Sequence, residues 1–265
     1  MSWPLIQRLV YEQRYRFALE LLLIGAWGFL LVALFATSDT FSRMLDQQAQ
    51  LLGPMLALTG LDPLAQWASI GVQHPIFLLG GGMFAIGLGV RAIAGELEDG
   101  SLALALSRPI SRRAWFLSHV AVMVPGSILL GLIYGVGCLL AAVLTSPRGH
   151  LDPVSLLVAG AEAGLLLLSF GAMALMFSAF ASERGRALTW SVGTLIVMYA
   201  VSYLLPLWSV AESAAKLTPF GWFAPGPIIQ HGDVPWSDII ALVIFSLAPL
   251  CVAGWRLQRR DLAGG

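Results

Sequence analysis

Six stretches of the chain, roughly 17–36, 73–94, 115–145, 153–181, 187–209 and 236–256, are apolar and long enough to cross a bilayer as helices. A hydrocarbon core of about 30 Å takes about 20 helical residues at 1.5 Å each. The third and fourth stretches exceed that length and are expected to tilt or to project beyond the membrane. Composition agrees: 58% of the residues are hydrophobic and only 11% charged, where a soluble domain carries roughly a quarter. The expected class is an all-α integral membrane protein with six transmembrane helices in one membrane domain across residues 1–265. A net charge of zero argues against a nucleic-acid partner, which would need clustered excess Lys and Arg.

Charge placement orients the spans. Arg8, Arg14, Arg16, Arg91, Arg108, Arg112, Arg113, Arg184, Arg186, Arg256, Arg259 and Arg260 fall on one side under this reading; only Arg43, Arg148 and Lys216 fall on the other. The positive-inside rule then puts both termini and the Arg91–Arg113 segment in the cytoplasm. Lys216 is the only lysine and asparagine is absent, so the chain has no N-glycosylation site. The Arg bias is compatible with a thermophilic or GC-rich bacterial source.

Residues 1–36 do not read as a cleaved leader, because the apolar stretch is too long and Glu12 and Glu20 are unusual there. Residues 1–16 read as an interfacial helix, with Trp3, Ile6 and Val10 at near-helical spacing and Arg8, Glu12 and Arg14 reaching water. An ordinary basic flank of the first span is the alternative. Residues 37–72 form the longest external loop. Leu45, Leu51, Leu52 and Leu56, with the break at Gly53-Pro54, point to short helices lying on the outer surface. Residues 215–235, between the fifth and sixth spans, are too apolar for a solvated loop and too rich in Pro and Gly for a span. Two readings fit: a re-entrant hairpin buried in protein, or a surface anchor through Phe220, Trp222 and Phe223.

Several chemistries find no residues to carry them. The chain lacks G-x-x-x-x-G-K-[ST], so it builds no Walker-type nucleotide site of its own. It has no H-E-x-x-H, no paired cysteine motif and no Ser-His-Asp arrangement, and no cofactor is expected on this chain. Cys138 and Cys251 lie in apolar runs and read as packing residues. His150 with Asp152, and His231 with Asp233, could ligate zinc or copper if their loops met, although His and Asp beside Gly and Pro are ordinary turn chemistry. Glu162 alone lies well inside a span, where an unpartnered carboxylate costs several kcal/mol. It lines a polar path, makes a hydrogen bond between helices, or partly snorkels toward water. Gly160 and Gly164 flank it at the spacing that lets helices approach closely, and Gly131 and Gly135 repeat that spacing.

The densest chemistry lies between the second and third spans, in RAIAGELEDGSLALALSRPISRR. Gly95 and Gly100 allow tight turns around Glu96, Glu98 and Asp99. Ser101 is placed to cap a short helix bearing Leu102, Leu104 and Leu106, which Pro109 would end. Arg112 and Arg113 mark the water boundary of the third span. A solvated loop that only sets topology fits these residues as well.

This segment resembles the pattern G-E-x-E-x-G-[ST]-L-x-x-x-L-x-x-P-[IV]-[ST]-R of ABC-2-type transporter permeases. The matching residues are Gly95, Glu96, Glu98, Gly100, Ser101, Leu102, Leu106, Pro109, Ile110, Ser111 and Arg112. Ala105 departs conservatively from a run in which relatives often have leucines. The six spans, the N-terminal helix and the Pro/Gly-rich hairpin agree with the same family, so the resemblance covers essentially the whole chain.

The resemblance implies a permease that pairs with a second copy or a homologous permease and works with two separate cytoplasmic ATPase subunits. Those partners would bind ATP and Mg, which accounts for the missing nucleotide motif. The segment at 91–113 would be a coupling helix seated in a groove of the ATPase. Its contact residues would be Glu96, Glu98, Asp99, Gly100, Ser101, Leu102, Leu106, Pro109, Ser111 and Arg112, and its setting a bacterial inner membrane. Glu162, Tyr199 and Tyr203 are candidates for a translocation path. Two rival classes are a membrane enzyme acting on lipids, with Glu96, Glu98 and Asp99 around Mg²⁺, and a scaffold that recruits an ATPase without transport.

Overall fold

The computed structural model of the chain describes residues 2–38, 63–102, 110–147, 149–203 and 216–260. Their regular structure is helical throughout, with no strand among the described residues: α1 (Trp3–Thr37), α2 (Pro63–Gln73), α3 (Pro75–Val90), α4 (Arg112–Thr145), α5 (Pro153–Phe180), α6 (Arg184–Tyr203), α7 (Pro225–His231) and α8 (Trp236–Arg259). Beyond Val90, α3 runs on through a π turn, Arg91–Gly95, and a last α turn, Glu96–Glu98. By length and apolarity α1, the α2–α3 run to Glu98, α4, α5 and α8 qualify as membrane spans. The fifth predicted stretch is described as far as Tyr203, as α6; its remainder lies outside the described residues.

The helix boundaries follow local chemistry. His74 precedes Pro75, and its Nδ1 accepts the Ile76 N–H at 3.2 Å. Ser111 Oγ accepts the Ala114 N–H at 3.1 Å, and an Asp152 oxygen accepts the Ser155 N–H at 2.7 Å. These caps satisfy amides that the first turn of a helix leaves open. Gly232, at φ 72°, ends α7 in the left-handed region.

The N-terminal segment and the first span form one unbroken helix of 35 residues. At 1.5 Å per residue it is roughly 50 Å long, well beyond a hydrocarbon core. Leu5, Leu9 and Gln13, each four residues apart, face inward, whereas Trp3 and Val10 are exposed. The N-terminal segment therefore has a protein-facing stripe one position away from the stripe predicted for the interface.

Residues 63–72, assigned from sequence to the external loop, belong to α2, which packs against α1 and α7 with Leu64, Ala68 and Val72 buried. Three ring donors hold it: Trp27 to the Gly71 carbonyl (3.0 Å), Trp67 to the Leu31 carbonyl (3.1 Å) and Tyr134 to the Ala68 carbonyl (2.7 Å). The residues predicted for the loop's surface helices, Leu45, Leu51, Leu52 and Leu56, lie outside the described residues.

α5 is the hub. It packs against α3, α4, α6, α7 and α8, and most of its apolar length is buried. The two small-residue spacings of the sequence face each other here. A Cβ built on Gly131 would collide with the Gly160 carbonyl and lie 2.6 Å from the Gly164 nitrogen. These glycines thus bring α4 and α5 into backbone contact within one chain.

Candidate functional site

At one end of the bundle lie the start of α1, the end of α3, the starts of α4 and α6, and the ends of α5 and α8. Hydrogen bonds join them. Arg91 reaches Glu12 at 3.0 Å, and Glu12 also pairs with Arg8 at 2.6 Å. The Arg184 N–H donates to Glu98 Oε2 at 2.7 Å. Arg8, Arg91, Arg112, Arg113, Arg184 and Arg260, grouped by the charge pattern of the sequence, therefore share this end, and Arg108 lies outside the described residues.

The π turn at Arg91–Gly95 has an identifiable cause. Ser178 Oγ on α5 donates to the Val90 carbonyl at 2.8 Å and accepts the Ala94 N–H at 2.7 Å. One inserted hydroxyl thus replaces a direct i→i+4 bond, the kind of insertion that widens a helical turn. Trp115 fixes the same turn from α4, its indole N–H donating to the Ala92 carbonyl at 3.3 Å.

The acidic turn follows at once. Asp99 N–H bonds the Gly95 carbonyl at 3.0 Å and Gly100 N–H the Leu97 carbonyl at 3.1 Å. Gly100 sits at φ 71°, where a side chain would strain the backbone although the space beside it is empty. Glu96 is buried, and Ser101 Oγ hydrogen-bonds both its carboxylate and its main-chain oxygen. Leu102 is also buried, in the cluster of Leu5, Leu9, Trp115 and Leu257. Asp99 and Gly100 point outward, and Asp99 has no side-chain partner among the described residues. Leu106 and Pro109, with the helix predicted to connect them, lie outside the described residues.

Ser111 and Arg112 have structural partners. Ser111 caps α4, as noted. Arg112 Nη1 donates to the carbonyls of Leu257 (3.2 Å), Gln258 (3.2 Å) and Arg260 (2.6 Å). Arg260 in turn donates to the carbonyls of Ala179 (3.0 Å) and Ala181 (2.7 Å) and to Ser182 Oγ (3.2 Å). Each guanidinium occupies the carbonyl-rich end of a helix, where positive charge is favoured.

Glu96, Glu98 and Asp99 do not converge. Two of the three carboxylates are engaged with Ser101 and with the Arg184 amide, and no group of three His, Cys, Asp or Glu residues placed to hold a metal occurs among the described residues.

At the other end, the chain from Pro219 to His231 folds back against α5. Phe220, Phe223, Ile228 and Ile229 are buried, and Trp222 meets Phe245 of α8 edge-on. Glu162, 1% exposed, accepts the Ala224 N–H at 3.1 Å through one carboxylate oxygen. Glu162 stands nine helical steps after Pro153, so the hairpin reaches roughly 13 Å down α5. Tyr199 packs edge-on against Phe220, with ring centroids 5.6 Å apart. Tyr203 lies one turn further along α6. The His/Asp loops are neighbours: a Cβ on Gly232 would lie 3.6 Å from Ser155 Oγ. Hydrogen bonds from Ser155 hold the Asp152 carboxyl below its ordinary pKa, consistent with its capping role.

Sequence reasoning missed Ser178 and the capping targets of Arg112 and Arg260. Ser178 left a trace, as a hydroxyl in the otherwise apolar run ALMFSAF, where polar residues bind helices together. Both arginines were counted as topology signals and Arg112 also as a coupling contact, and nothing in their spacing names a carbonyl partner.

A comparison with the curated proteins returns no match. A family model described as ABC-2 family transporter protein matches residues 14–262, from within α1 past the end of α8. That span takes in the acidic turn, the π turn, the arginine caps and the hairpin, and the chain belongs to the ABC-2 transporter family.

Proposed function

We propose that the chain is the membrane-spanning permease subunit of a bacterial ABC exporter, driven by ATP hydrolysis in separate cytoplasmic ATPase subunits. Six spans with both termini in the cytoplasm, two ATPase subunits and a second permease complete the assembly. The observation that carries this reading is the turn Glu98–Gly100. It is exposed at the arginine-rich end, and its shape is held by bonds to Gly95, Leu97 and Arg184. A rigid, outward-facing acidic turn on a segment of the family's coupling pattern is suited to pass motion to and from a partner protein.

Within the coupling set the residues divide by role. Asp99, Gly100 and the outer face of Glu98 form the contact, to which Leu106 and Pro109 would add theirs. Glu96, Ser101, Leu102, Ser111 and Arg112 hold the turn in shape and join it to α4 and α8. Tyr199 and Glu162 support the re-entrant hairpin beside the translocation path, with Tyr203 further along α6.

Asp99→Lys is the cleanest test, because the side chain supports nothing in the fold. In proteoliposomes with the native ATPase subunits, this variant is expected to lose transport-linked ATPase activity at least tenfold with an unchanged thermal midpoint; a tenfold loss corresponds to about 1.4 kcal/mol. Wild-type activity in this variant would remove the turn from the coupling path.

A further inference from the structure

We propose that the chain carries a binding site for one anionic phospholipid, in the groove between the N-terminal half of α1 and the middle of α4. The site is separate from the acidic turn and does not depend on the ATPase reading. The groove encloses about 360 Å³, within the range of small-molecule sites. Its wall includes Phe17, Phe84, Leu88, Val122, Pro125 and Gly126. Phe17 and Phe84 stack with centroids 5.4 Å apart at 29°, giving a flat apolar floor. Gly126 keeps the slot open: a Cβ there would meet only Phe17, at 3.9 Å.

Arg14 lines the same groove. Its guanidinium carbon lies 3.5 Å from the Tyr11 ring centroid and 4.5 Å from that of Tyr15, and Nη2 donates to the Tyr15 hydroxyl at 3.1 Å. Among the described residues it pairs with no carboxylate. Glu12 is taken by Arg8 and Arg91, and Glu20 lies beside Gly80 of α3. An aromatic-braced cation with no carboxylate partner among the described residues therefore sits at the edge of an apolar slot, which its stem helps to line. A lipid phosphate beside the guanidinium and one acyl chain along the slot satisfy both features. A zwitterionic headgroup brings its own cation and gains less from Arg14.

The test is native mass spectrometry of the full chain in mild detergent, equilibrated with equal amounts of phosphatidylglycerol and phosphatidylcholine bearing the same chains. The wild type is expected to retain one phosphatidylglycerol with about fivefold preference, the factor for one arginine at an anionic surface. Arg14→Gln should erase the preference, and Gly126→Leu, which fills the slot, should lower retention of both lipids. Ala18→Leu, on the exposed lip of the groove, repeats the block should Gly126→Leu fail to fold. Equal retention of the two lipids by the wild type, or an unchanged preference in Arg14→Gln, would overturn the site. So would a dimer that Gly126→Leu converts to monomer, because the groove would then hold a second copy of the chain.

Discussion

A single hydroxyl, Ser178 Oγ, serves as acceptor for Ala94 and donor to Val90 in a buried setting. Ser178→Ala strands both backbone groups and is expected to lower stability by about 1–3 kcal/mol, read as a lower unfolding midpoint in detergent. Glu162 has the same kind of role at the opposite end. Glu162→Gln retains an acceptor for the Ala224 amide, whereas Glu162→Leu does not. Hydrogen exchange at Ala224 is expected to rise about tenfold or more in the leucine variant and to stay near wild type in the glutamine variant. From the sequence, Glu162 could be marked as needing a partner because its position inside an apolar run is visible. Its partner is a backbone amide 62 residues away, and backbone amides have no sequence signature. Glu96 shows the converse: its spacing was readable, but its burial depends on Ser101 and the bundle behind it.

The starts of α5 and α8 were legible to the residue, whereas α2, which also begins at a proline, Pro63, was read as loop. α5 begins at Pro153 behind Asp152, and α8 was anticipated from 236. Legibility failed where two apolar faces compete on one helix. On α1 the exposed stripe of Trp3 and Val10 and the buried stripe of Leu5 and Leu9 have the same composition, so only packing distinguishes them. The glycines of α4 and α5 were recognisable as a packing face, and the structure supplies the partner. Gly131→Val must push α4 off Gly160 and is expected to cost about 1–3 kcal/mol or more. Gly87→Ala in α3, where a Cβ meets nothing within 4 Å, is expected to leave the unfolding midpoint unchanged or slightly raised. Thermal denaturation of the two variants side by side checks the contrast.

Across the whole molecule, the arginine-rich end is a chain of caps: the start of α4 holds the end of α8, and the residue after α8 holds the end of α5. Arg112 and Arg260 are in direct contact, so their effects should not add. In a double-mutant cycle of Arg112→Gln and Arg260→Gln, measured by chemical unfolding in detergent, a coupling of roughly 0.5–3 kcal/mol is expected. Additive losses would mean that the two caps act independently.

The distribution of these bonds along the chain has a consequence for synthesis. The acidic turn is made within the first 101 residues, yet its shape depends on Ser178 and Arg184, and Arg112 finds its carbonyls only at residues 257–260. A nascent chain therefore displays the acidic sequence long before it possesses the acidic surface. Interrupted before α5 is complete, it would present a segment with the right residues and the wrong shape. In the proposed coupling role, the acidic surface would therefore be ready only after α8 has been made.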